Sequence, residues 1–278
     1  MNSALVLALA VALGGSSNYI SRNRYRMSPP SGATADAGTP TLPSGAIINL
    51  SAASISGVNG ALIDTWEDTG TVADFTQATA MAQPQLLTNA SEKALSFDGV
   101  FDLVTSAGSK VQTGFIHSTG VFDLIVVLRR TNVNNGTERR ILGNCEGQEG
   151  ISVLFNDGAD EGKFWVILGN GSGLITNFTP TTVSAPLGQP IKLLVRGTGT
   201  STRVSTDFST FETQAFLAAL GTGDAFYDFS VGGSNPSQTT PKTLAADVYM
   251  VLLYNRNLTT NELADVTAVI TSQVGGPL

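Results

Sequence analysis

From Ala46 onward, short apolar runs alternate with clusters of Gly, Asn, Asp, Ser and Thr, the punctuation of many strands joined by tight turns. Ala46-Ile47-Ile48-Asn49-Leu50 reads as a first short strand, and Ala61 to Trp66 as a segment ending in a buried aromatic. Val121 to Arg129 is apolar at nearly every position and predicts a strand central in a sheet. Arg139 to Leu142, Gly150 to Phe155, Lys163 to Leu168, Ile191 to Arg196, Ser201 to Thr206 and Ala225 to Gly233 continue an antiparallel series. Turn signals fall between almost every pair, as at Asn135-Gly136, Asp157-Gly158, Glu161-Gly162 and Gly197-Thr198-Gly199. Asp98-Gly99 predicts a tight reversal after Phe97, because glycine takes positive φ without steric cost.

Val248 to Tyr254 is too short, and too rich in β-branched and aromatic residues, for a helix; it predicts a strand covered on both faces. The period then changes. Thr259 and Glu262 form a capping-box pattern, each satisfying a free amide of the other's turn. Leu263, Val266 and Ile270 recur at helical spacing, predicting a helix from about Thr260 to Gln273 that Gly275-Gly276 stops. No internal repeat is evident, which argues against a propeller or a β-helix. The expected fold is all-β: an antiparallel two-sheet jelly-roll sandwich with one C-terminal helix.

Residues 1–27 read as an arm outside this domain. Ala4 to Leu13 is continuously apolar and includes Leu5, Leu7, Leu9, Val11 and Leu13. As a helix it would extend roughly 15 Å, about half of a bilayer core. A signal peptide carries Lys or Arg before its apolar run, whereas Arg22, Arg24 and Arg26 follow this one. Three readings stay open: a docking element buried by a partner, a signal or anchoring segment cut near Gly14-Gly15-Ser16, or a tail without fixed structure. Residues 28–44, rich in Pro, Gly and Ala, read as a linker, and residues 45–278 as the sandwich.

Composition narrows the function classes. A length of 278 residues suits one large sandwich, and a charged fraction of 13% suits strands and turns. A net charge of −7 with a pI near 4.6 disfavours nucleic acid, whose phosphates need clustered Lys and Arg. Cys145 is alone, which excludes an intrachain disulfide and thiolate zinc sites; His117 is alone too, which removes Ser-His-Asp and Cys-His chemistry.

Several landmarks occur in a distinctive order: Trp66-Glu67-Asp68, Gln83-Pro84, Phe97-Asp98-Gly99, Phe101-Asp102, and finally Tyr254-Asn255-Arg256-Asn257-Leu258-Thr259 with Glu262-Leu263. Their order resembles that of laminin-G-like domains of the concanavalin A-like lectin superfamily, over most of residues 45–273 and none of the arm. The resemblance implies a lectin-like sandwich that binds at its loops or concave face, often with calcium at a loop rim. Glycoside hydrolases share this sandwich and need two carboxylates facing each other across a cleft. A Glu-x-Asp-x-Glu strand is absent, and Glu146 and Glu149 around Gly147 fit a solvated loop, so the chain is expected not to be an enzyme.

Candidate binding residues are few. Asp157 and Asp160, within Asn156 to Gly162, could give oxygen ligands to calcium, although two hairpin turns explain the same residues. Asp64, Glu67 and Asp68 form a second acidic rim open to the same two readings. Trp165 shares a strand face with Lys163 and Ile167, so it either offers a ring for sugar stacking or packs in the core. The uncleaved arm and the missing disulfides favour a bacteriophage virion component, a decoration, fibre or spike that is oligomeric and docks on capsid or tail proteins. The alternative is a secreted or surface-anchored bacterial module that binds cell-surface glycans.

Overall fold

The computed structural model describes residues 39–89, 92–132, 139–145, 148–155, 162–233 and 243–274. They lie in one compact unit, Thr39–Leu278. The arm positions Leu5, Leu7, Leu9, Val11 and Leu13 lie outside the described residues. In chain order the first strands are β1 (Ala46–Ser51), β2 (Thr65–Trp66), β3 (Phe75–Thr76), β4 (Gln85–Thr88), β5 (Lys93–Asp98), β6 (Val104–Ser106), β7 (Val121–Arg130) and β8 (Arg139–Gly143). They continue with β9 (Gly150–Phe155), β10 (Phe164–Gly169), β11 (Leu174–Phe178), β12 (Pro190–Thr198), β13 (Ser201–Ser205), β14 (Glu212–Ala215), β15 (Ser230–Val231) and β16 (Ala245–Tyr254). Two short helices, α1 (Ser109–Gln112) and α2 (Phe115–Ser118), precede β7, and α3 (Thr260–Val274) follows β16. Among the described residues, no helix is long and apolar enough to cross a membrane.

The strands form two antiparallel sheets. One runs β14-β13-β12-β7-β16-β5-β4, with β1 also paired to β16; the other runs β11-β10-β9-β8-β15-β6-β3-β2. Alternate residues of both sheets, among them Leu95, Phe97, Phe122 and Val126 from the first and Val153, Phe155, Phe164 and Val166 from the second, meet in a single core. The second face of the first sheet is covered too. Ile125, Val127, Leu194, Leu252 and Tyr254 pack against Leu263, Val266 and Ile270 of α3. That double burial explains why β7 and β16 are apolar without alternation.

The C-terminal landmark is a structural lock. Asp123, fully buried on β7, receives Arg196 Nε at 2.7 Å and Nη2 at 2.5 Å, and the Leu258 amide at 2.8 Å. Asn257 Nδ2 donates to the Phe122 and Gly197 carbonyls at 3.0 and 2.8 Å. The capping box forms as expected: the Thr259 amide donates to Glu262 Oε2 at 2.8 Å and the Glu262 amide to Thr259 Oγ1 at 3.3 Å. Arg256 grips both oxygens of Glu262 at 2.9 and 2.6 Å. Asn257 and the Leu258 amide therefore fasten the start of α3 to strands far away in sequence, while Arg256, Thr259 and Glu262 close it locally.

One local expectation changes, and the fold adds two further details. Residues Ala225 to Gly233 form only the two-residue β15, because the preceding amides are taken by loops: Phe226 donates to the Glu149 carbonyl, Tyr227 to that of Asn144 and Phe229 to Ser109 Oγ. The chain just ahead of β1 makes contacts of its own. Leu42 packs against the outer cluster and the Pro43 carbonyl accepts from Tyr254 Oη at 3.1 Å. Finally β11, β14, α1 and α2 carry no periodic signal in the sequence, being short and set by distant contacts.

Candidate functional site

Two surfaces carry groups suited to a ligand. The first is the outside of β10. Phe164, Val166 and Leu168 are buried in the core, while Lys163, Trp165 and Ile167 are partly exposed on the opposite face. Trp165 thus lies outside the core, its indole Nε1 donating to Asn177 Oδ1 on the neighbouring edge strand β11 at 2.5 Å. Its cross-strand neighbour on the other side is the buried Leu154. A ring pinned at its polar tip and backed by a leucine is oriented before anything binds, the geometry that stacking on a sugar ring asks for.

The second surface is a cleft of about 450 Å³ at the outer edge of the first sheet. Gln85 and Ser96 face each other across the β4–β5 pair and form its base; Leu62, Met81 and Gln83 wall it, and Asp98 and Asp102 close one end. The turn that presents the two carboxylates is built by them. Asp98 Oδ1 accepts the Val100 amide at 2.7 Å, and Asp102 Oδ2 accepts the Asp98 amide at 2.8 Å. Gly99 is required there: its φ is +78°, and a Cβ would sit 2.8 Å from that of Ala245. Asp102 is only 4% exposed. Burial raises its pKa, and although the Asp98 amide opposes this, the Asp98 charge adds to it and the carboxyl titrates at about 6.

Sequence reasoning missed this cleft. In the sequence Gln83-Pro84, Asp98-Gly99 and Asp102 stand as landmarks or turn residues; only the fold brings them, with Leu62, into one cleft.

Of the other expected acidic sites, only the second rim falls among the described residues. Asp157, Asp160 and Glu146 lie outside the described residues. In the second rim Asp68 turns inward and accepts the Asn49 amide at 2.6 Å, while Asp64 and Glu67 line a separate shallow groove. Burial of Asp68 raises its pKa against the pull of the Asn49 amide. Among the described residues, no three of His, Cys, Asp and Glu converge as a metal-holding group. The single His117 is fully buried, and burial lowers its pKa, although Glu149, the Thr222 backbone and Asp224 oppose this.

No protein-family model matches the chain. No curated protein matches it either. Solved structures do. A Trypanosoma rangeli sialidase in complex with 2,3-difluorosialic acid superposes with a TM-score of 0.54 at 17% identity, over 85% of this chain and 34% of the sialidase. A mutant of the T. rangeli sialidase displaying trans-sialidase activity gives 0.56 at 17% identity, over 86% and 35%. Domain 4 of AbnA, an extracellular GH43 arabinanase from Geobacillus stearothermophilus, in complex with arabinotriose, gives 0.55 at 12% identity, over 80% of this chain and 97% of that domain. The chain thus spans about a third of the sialidases' length and nearly all of the arabinanase domain. These likenesses establish the fold, a two-sheet antiparallel β-sandwich. They also correct the expectation that the chain is not an enzyme, since structures of this fold include sialidases and a hydrolase domain. Two carboxylates, Asp98 and Asp102, do line one cleft, side by side on a single turn.

Proposed function

We propose that the chain is a carbohydrate-binding sandwich of the concanavalin A-like, laminin-G-like kind with jelly-roll connectivity, acting outside the cell or at a cell surface. The observation that carries this is Trp165, partly exposed and tethered to Asn177 on the open face of an edge-strand pair. The arabinotriose complex of an arabinanase domain with the same fold supports it. The virion reading finds no parallel in the sialidases and the arabinanase domain, so the glycan-binding alternative takes its place.

A glycan array on the full chain, with titration calorimetry on the hits, tests the reading. Trp165→Ala should weaken binding of neutral oligosaccharides at least about fivefold, since aromatic contacts of this kind contribute about 1–3 kcal/mol by truncation. Its melting temperature should stay near that of the wild type, because the side chain lies outside the core. An array without hits, or hits indifferent to Trp165, would remove the observation on which the reading rests.

A further inference from the structure

The cleft beside Asp98 and Asp102 is independent of the tryptophan face, and its lining has a definite chemical sense. Two carboxylates share one end, and among the described residues no Lys or Arg lines the cleft. Charged groups do approach from outside. Arg139 Nη1 donates to the Gly99 carbonyl at 2.5 Å behind the turn, and Asp247, opposite Ser96 on β16, is held by Arg129 at 2.8 Å. Neither arginine bonds to the pair: Arg139 Nη1 reaches the Gly99 and Thr243 carbonyls, Arg129 binds Asp247 and Glu92, and the charge acting on Asp102 is that of Asp98.

The walls are apolar and open. Leu62 is 50% and Met81 82% exposed, and the carboxylate turn itself carries Val100 and Phe101 at 46% and 51%. Exposed apolar side chains around a concave polar base mark a binding surface rather than a packing defect. A bare divalent cation fits poorly. It would need six to eight oxygens closing on it at about 2.3–2.6 Å, whereas this cleft offers two carboxylates spread along an open, partly apolar hollow. An anionic sugar would meet the two carboxylates with like charge.

We propose that this cleft binds an amine-bearing sugar ring: the ammonium between Asp98 and Asp102, ring hydroxyls on Gln83, Gln85 and Ser96, and the apolar ring face against Leu62 and Met81. The choice of a sugar rests on the glycan-binding reading; the charge preference does not. A cation seated there competes with the proton that Asp102 holds at low pH, so binding strengthens as the carboxyl ionises. With a midpoint at about 6, ionisation rises from roughly a tenth at pH 5 to nine-tenths at pH 7, and because the sugar amine itself begins to lose its proton near pH 7 the expected gain in affinity is severalfold.

The test is calorimetry on the full chain with a β-1,4-linked glucosamine trisaccharide, its N-acetylated counterpart, trilysine and calcium chloride, each at pH 5 and pH 7. The glucosamine trimer should bind severalfold more tightly at pH 7, and at least tenfold more tightly than the acetylated trimer. Asp98→Asn and Asp102→Asn should each abolish that preference, and Met81→Ser, at a position too exposed to affect folding, should weaken the amino sugar severalfold. Equal affinity for the two trimers, or indifference to Asp98→Asn, overturns the proposal. Trilysine bound with the same dependence on Asp98 overturns the sugar assignment, and calcium displacing the trimer at equimolar concentration overturns the ammonium assignment. Loss of the amino sugar with Trp165→Ala but not Asp98→Asn would place it on the tryptophan face, overturning the cleft while leaving the glycan-binding reading intact. Binding that needs Asp98, in a protein whose array shows no neutral glycan, would uphold the cleft and remove the Trp165 reading instead.

Discussion

Asp102 and Glu212 are carboxyls that their surroundings push to opposite ends of the titration range. Glu212 is partly desolvated, which alone would raise its pKa. The hydroxyl and amide of Thr182 and those of Thr181 outweigh this, and the group titrates at about 2. A depressed acid stabilises the fold above its unfolded pKa near 4.5 and loses that contribution as pH falls towards 2. Asp102 has the opposite sign. Its raised pKa means that the folded state holds the proton more tightly, so stability is lost as pH rises from near 4 through about 6. Asp102→Asn keeps an acceptor for the Asp98 amide and removes the charge. It should raise the melting point at pH 7, by on the order of 2 kcal/mol in stability, and leave it unchanged at pH 4. Glu212→Gln should lower the melting point at pH 7, with the difference closing towards pH 2. Scanning calorimetry of both variants at the three pH values reads these signs, and a stability change in Asp102→Asn that ignores pH would mean the carboxyl is not strained.

At the scale of elements, the junction of β16 with α3 shows how far local sequence reaches. The capping box, the apolar run and the helical period were legible because each is specified by residues within a few positions of one another. Thr259→Ala should cost about 1 kcal/mol, since it leaves a helix amide without its acceptor. Asp123→Ala should cost more, about 3–5 kcal/mol, because it strands Arg196 and the Leu258 amide inside the joint. Urea titration ranks the two, and equal losses would show that the helix cap, not the ion pair, fastens the joint. What the sequence left hidden has the opposite character. Residues 225–229 look like a strand, but Ala225, Phe226, Tyr227 and Phe229 give their amides to Lys110, Glu149, Asn144 and Ser109, partners 77 to 120 positions away that no window of residues can reveal. The cleft was illegible for the same reason. Leu62, Gln83, Ser96 and Asp102 lie on four segments, and at each position the local reading as core edge, turn or strand was a sufficient explanation.

At the scale of the molecule, the two candidate surfaces belong to different sheets. Trp165 stands on the outside of the second sheet, whereas the base of the cleft, Gln85 and Ser96, faces outward from β4 and β5 of the first. Between them lies a core packed from both sheets, in which Phe97 of β5 and Phe164 of β10 are at most 1% exposed. Close-packed interiors of this kind resist continuous deformation, so one surface can influence the other only through a second arrangement of the core, and such a switch would have to be favoured by one ligand over the other. Neither surface needs one. The indole is already tied to Asn177, and both carboxylates are already fixed by amides of their own turn. The coupling free energy between the sites should therefore be close to zero, and coupling is reciprocal. Saturating the chain with a neutral oligosaccharide that depends on Trp165 should leave the dissociation constant of the glucosamine trimer unchanged within about twofold, and the reverse titration should give the same ratio. A shift above fivefold in both directions would mean that the sheets move against each other on binding. A shift from competition alone would show that both sugars enter the same site.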